Sequence, residues 1–158
     1  MTELENQTNL PGEVIEAFSS ATVTALRELT QFEALPVLQS PHAEMEGPCV
    51  VAVMQLLRSI PGSLALVMSV DTAEQLTARY LPKGTALTEE LVNDVVGEFV
   101  NVIAGQAKTF LKGTPYHFLL SLPVVTRSAI EVKQPGMIAT FEFDSGKLQL
   151  VISLAPVM

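Results

Sequence analysis

Apolar residues recur at helical spacing near the start of the chain. From Pro11 onward, Val14, Ile15, Phe18, Ala21, Val23, Ala25, Leu26 and Leu29 mark an amphipathic helix that ends before Pro36. Three strands are expected next. Residues 32–44 read as an irregular or edge strand because prolines interrupt them, 49–57 as a strand rich in valine and leucine, and 64–70 as a strand after the Pro61-Gly62 turn. Asp71 and Thr72 are placed to cap a short helix over 73–80, which Pro82-Lys83-Gly84 ends. Thr88, followed by Glu89 and Glu90, opens the most regular helix of the chain, running to about Leu111. Strands near 118–125, 129–132, 138–143 and 147–154 complete the pattern, with Asp144-Ser145-Gly146 as a hairpin turn between the last two. This order predicts an α+β fold with a largely antiparallel sheet and a long helix packed on it. Leu35-Pro36-Val37 after the first helix is echoed by Leu122-Pro123-Val124 after the long one, a hint of an internal repeat.

Composition narrows the class. The 158 residues are 48% hydrophobic and 16% charged, which suits a globular chain with a sizeable core. Residues 1–9 read as a loose polar tail and 10–158 as one domain, because no linker, low-complexity tract or charge run divides them. A mean hydropathy of +0.37 raises the question of a membrane span. The most apolar stretches, 49–57 and 64–70, fall far short of the roughly 20 residues such a span needs. The acidic N-terminus lacks a signal-peptide pattern and Cys49 is the sole cysteine, so a cytoplasmic protein without an intrachain disulfide is expected. A net charge of −8, with nine basic against 17 acidic residues, argues against a nucleic-acid partner. The apolar excess fits either a large core or a dimer interface.

The long helix carries the candidate chemistry. At about 100° per residue, Leu91, Val92, Val95, Val96, Phe99, Val102, Ile103 and Phe110 form an apolar arc. Glu90, Asp94, Glu98, Asn101 and Lys108 fall on the opposite stripe. Glu98 and Asn101, at i and i+3, are surface neighbours. Gly97 and Gly105 flank Asn101 at i−4 and i+4 on the polar side, although a glycine inside a helix costs about 1 kcal/mol relative to alanine. Such glycines leave the amide standing clear for a partner backbone, or let the helix pack tightly on a neighbouring element. The Glu-x-x-Asn spacing alone is cheap, since Glu3 and Asn6 repeat it in the tail.

Taken together, Asp94-x-x-x-Glu98-x-x-Asn101 and Pro123, 22 positions after Asn101, resemble the motif of the CheC/CheX/FliY phosphatases. The stretch from Gly97 to Gly105 and Leu122-Pro123-Val124-Val125 is similar to its CheX version. The proline spacing is about one residue shorter than the family form, and Thr126-Arg127-Ser128 stands where relatives tend to carry a glycine. The resemblance implies a CheC-like fold and a phosphatase acting on phosphorylated CheY-type response regulators. By it, Asn101 would orient the attacking water and Glu98 would dock against a lysine of the regulator. Asp94, Gly97, Gly105 and Pro123 would support or dock. It further implies a homodimer with one site per chain, because the first helix has no Glu-x-x-Asn, and no cofactor beyond the Mg²⁺ that the regulator brings.

Rival chemistries find little support. His42 and His117 are the only histidines, and no metal-ligand spacing, nucleophile elbow or phosphate-binding loop occurs. Cys49 heads an apolar strand, where packing is its expected use. Two other classes stay open: a non-catalytic module of this fold that binds a response regulator or flagellar-switch component, which a buried Asn101 would favour, and a plain structural domain, which would need the glycines to face its own core.

Overall fold

The computed structural model describes residues 11–40, 48–58, 62–127, 137–143 and 146–154. Among the described residues three helices, α1 (Gly12–Thr30), α2 (Val70–Tyr80) and α3 (Glu89–Phe110), accompany seven strands: β1 (Leu35–Ser40), β2 (Cys49–Leu57), β3 (Gly62–Ser69), β4 (Leu119–Leu120), β5 (Val124–Arg127), β6 (Met137–Phe143) and β7 (Gly146–Leu154). The strands form one antiparallel sheet in the order β1-β6-β7-β3-β2-β4, with β5 also paired to β2. The α+β architecture and antiparallel sheet therefore stand as expected.

Alternation within the strands explains the layering. Val50, Ala52, Met54 and Leu56 of β2 join the main core with Val92, Val96, Phe99 and Ile103 of α3 and Phe18 and Leu26 of α1. Each of these side chains larger than alanine, fully buried, contributes about 1.5–3 kcal/mol by leaving water. The other face of β2 and its neighbours carries a smaller cluster of Cys49, Val51, Val67 and Val151. Phe18 stacks on Phe118 with ring centroids 5.8 Å apart, Tyr80 and Phe99 meet edge to face at 6.1 Å, and residues of α1, α2 and α3 share the one main core.

The repeat hinted at by the two Leu-Pro-Val tripeptides is built into the sheet. Exchanging β1 with β5, β2 with β6 and β3 with β7 reproduces every pairing among them. The helices obey the same rule. Buried Val14, Ala17, Phe18, Ala21, Ala25 and Leu26 of α1 match, in order and spacing, buried Val92, Val95, Val96, Phe99, Ile103 and Ala104 of α3.

Several local expectations are corrected. Ser69 caps α2, its Oγ accepting from the Thr72 N–H at 3.1 Å, in place of Asp71 or Thr72, because the helix starts at Val70 and both of those residues already lie in its first turn. Phe110 was expected on the core arc but is 61% exposed. It ends α3 at the rim of a hollow lined by Glu13, Glu16, Ala17 and Ser20 of α1, while Leu111 takes the buried place. The continuous strand expected over 118–125 splits into β4 and β5. The strand expected at 129–132 lies outside the described residues, as do Asp144 and Ser145 of the expected turn, His42, and the 1–9 tail.

The split is a β-bulge. Leu56 pairs with Leu120 and Val53 with Val124, so Met54 and Gln55 face the three residues Ser121, Leu122 and Pro123. Pro123 has no N–H for the ladder. Ser121 stitches the gap, its N–H donating to the Gln55 carbonyl at 3.2 Å and its Oγ accepting from the Gln55 N–H at 2.8 Å. The extra residue shifts the alternation of the strand by one position. Leu122 is thereby pushed out to 86% exposure, and Pro123 and Val125 turn toward α3.

Candidate functional site

The site is organised by α3. Thr88 Oγ1 accepts from the Leu91 N–H at 3.1 Å and closes the first turn, where Glu89 and Glu90 complement the positive end of the helix dipole. Burial of Val92, Val95, Val96, Phe99, Val100 and Ile103 then fixes which side meets the core. Asp94 and Glu98 emerge exposed on the far side and Asn101 half-buried beside them. Among the described residues none of these three side chains is engaged in a hydrogen bond or ion pair. A carboxylate and an amide one turn apart thus present a charged acceptor beside a neutral donor–acceptor pair.

The two glycines part company. Gly105 lies open, with nothing within 4 Å of a Cβ placed there. Gly97 is buried, and such a Cβ would meet Val125 Cγ2 at 3.4 Å and Pro123 Cγ at 3.8 Å. The space at Gly97 is taken by the chain's own β5 in place of the partner backbone that the polar stripe suggested. Pro123 consequently packs against α3 at Gly97, and its ring offers no polar group.

Reading the sequence alone misses three residues. Arg127, at the end of β5, donates from Nε to Asn93 Oδ1 at 3.3 Å and lies 3.6 Å from Glu89 Oε1. Glu89, Glu90, Asn93 and Asp94 of α3 face Pro123 and Val125 across an open groove of about 540 Å³. The signal was present as two matched periods: every second residue from Pro123 and every fourth residue back from Gly97. It becomes legible only once strand and helix are known to be neighbours.

On α1, the internal repeat places Glu16, Ser20 and Val23 where α3 has Asp94, Glu98 and Asn101. Neither the glutamate nor the amide of the pair recurs there. Among the described residues no group of three His, Cys, Asp or Glu side chains could hold a metal ion, and no helix is long and apolar enough to cross a membrane.

An antiparallel sheet with α3 packed on it has known counterparts. The family described as chemotaxis phosphatase CheX matches residues 50–143, which include the whole of α3 and β5. The chain belongs to that family. Among solved structures, CheX of Desulfovibrio desulfuricans aligns with 90% of this chain and 99% of its own at 20% identity and a TM-score of 0.76. CheX of Vibrio vulnificus covers 91% and 100% at 21% identity and a TM-score of 0.77. CheX of Borrelia burgdorferi, solved in complex with CheY, BeF₃ and Mg²⁺, covers 90% and 98% at 20% identity and a TM-score of 0.74. At these identities the structures speak for the fold. No curated protein matches the sequence.

Proposed function

We propose that this chain hydrolyses the aspartyl phosphate of a CheY-type response regulator, with Asn101 orienting the attacking water and Glu98 docking against a lysine of the regulator. The observation that carries this reading is the pairing of an exposed Glu98 with a half-exposed Asn101 one turn on along α3, within the segment that matches the CheX family. The Borrelia relative supports the choice of partner, since its complex holds CheY with BeF₃, a tetrahedral stand-in for the phosphoryl group.

The chemistry asks little of the enzyme. An aspartyl phosphate is a reactive acyl phosphate, and water attack gives the free carboxylate, inorganic phosphate and a proton. Most of the gain comes from holding water in line with phosphorus. An amide suits that task, because it accepts from and donates to water without a charge that repels the phosphoryl oxygens. Glu98, one turn away, supplies the opposite: a fixed charge that sets the register of a lysine-bearing partner. Asp94 extends the acidic stripe, and Mg²⁺ would come with the regulator. A half-exposed Asn101 agrees with this reading better than with the purely binding module, for which a buried amide was the mark.

The test is phosphate release from phosphorylated CheY-type regulators of the same organism, with and without this protein. Faster release with at least one regulator supports the reading. Measurable binding without acceleration by any regulator would replace it with the non-catalytic module.

A further inference from the structure

We propose that Arg127 is a positioning residue for Asn101, fixing the rotation of α3 about its own axis from a point two turns away; this rests on the phosphatase reading for its catalytic consequence. The bulge at Ser121-Leu122-Pro123 turns alternate β5 residues toward α3, so Pro123, Val125 and Arg127 form one inward row. Their steps of about 6.6 Å along a strand match the steps of about 6 Å between residues four apart on a helix. Pro123 and Val125 meet the face of Gly97, and Arg127 reaches Asn93 and Glu89 on the same face, one and two turns earlier.

The apolar contact that holds α3 to the sheet is non-directional, so by itself it does not single out one fine rotation of the helix. Polar contacts to two successive turns of one face, one of them a hydrogen bond, resist roll. Arg127 supplies them through one atom: its Nε–H donates to Asn93 Oδ1 at 3.3 Å while its positive charge lies 3.6 Å from Glu89 Oε1, in a side chain that is only 24% exposed. Asn101 continues the row of Glu89, Asn93 and Gly97 one turn further on, and Asp94 and Glu98 each follow a member of that row by one residue. Any roll of α3 is therefore passed to the amide that must aim a water. Misplacement by about 1 Å in such a step can cost up to roughly 100-fold in rate.

The experiment combines two readouts on Arg127→Ala, Arg127→Lys and, as a control on the opposite face of β5, Thr126→Ala. The pair adds little to overall stability, as expected for a partly exposed ion pair, so the variants fold. The first readout is the side-chain amide resonance of Asn101 in the free protein, identified by its loss in Asn101→Asp. Arg127→Ala moves or broadens it, while Arg127→Lys and Thr126→Ala leave it near the wild-type position. The second is phosphate release at saturating regulator beside regulator affinity. Arg127→Ala lowers the rate at least about tenfold and changes affinity less than twofold, and Arg127→Lys recovers most of the rate. An unmoved Asn101 resonance in Arg127→Ala overturns the proposal whatever the rates do, and so does a moved resonance with a full rate. A wild-type protein that releases no phosphate would sink the phosphatase reading instead, and the resonance would then decide by itself whether Arg127 sets the roll of α3.

Discussion

Val125 Cγ2 stands 3.4 Å from where a Cβ on Gly97 would lie, so the glycine of α3 and the valine of β5 are fitted to one another. That distance is ordinary van der Waals contact for one methyl group and leaves no room for more. Gly97→Ala should fold as well as wild type, the helix-propensity gain of about 1 kcal/mol offsetting any crowding. Gly97→Leu must push β5 outward and should cost about 1–3 kcal/mol, read as a lower midpoint in chemical denaturation.

Gly105 behaves differently because nothing approaches it from within the chain. Gly105→Ala should stabilise the protein by up to about 1 kcal/mol. Gly105→Leu should leave the circular dichroism spectrum intact and weaken regulator binding, since the bulk rises one turn from Asn101 on the face assigned to the partner. Unfolding of Gly105→Leu would count against that assignment.

Thr88 starts the helix that carries the site. Thr88→Ala removes the oxygen that accepts from the Leu91 N–H and should cost about 1 kcal/mol. In a chain of this size that is a fall of roughly 2–4 °C in the thermal midpoint. Thr88→Asn, which retains a capping oxygen, should recover it.

The helices and central strands were legible because local chemistry and tertiary packing agree there. Residues 49–57 form a strand as the valine-rich pattern indicates, and Thr88 opens α3 where the capping signal places it. The misses share a cause. Helical periodicity identifies the side of α3 that meets the core, but not the flank that a short edge strand covers, so Gly97 was read as part of the polar stripe. Nor does periodicity show where the supporting layer ends, which leaves Phe110 outside it. The bulge at Ser121-Leu122-Pro123 depends on Gln55, far away in sequence, and no local signal announces that contact. The roles given to Glu98 and Asn101 came from family resemblance, and the geometry adds that both side chains are accessible.

Burial pushes the Cys49 thiol above its ordinary range. Native protein near pH 8 should therefore react with a thiol reagent far more slowly than protein unfolded in denaturant. The sign for stability follows from linkage: a folded-state value above the unfolded one gives a contribution that is complete below the unfolded thiol range and is lost as pH rises through the folded value. Cys49→Ala should accordingly flatten the alkaline side of the stability profile, measured by denaturation from pH 7 to 10. An unchanged alkaline slope would show that the thiol is not the group responsible.

The most direct test of the central claim separates chemistry from docking in single-turnover phosphate release with a cognate phosphorylated regulator. Asn101→Ala should abolish acceleration while still binding the beryllofluoride-activated regulator with near wild-type affinity, and Glu98→Ala should lose affinity as well as rate. Acceleration that survives in Asn101→Ala would contradict the assignment of the water-orienting amide and, with it, the mechanism proposed for this chain.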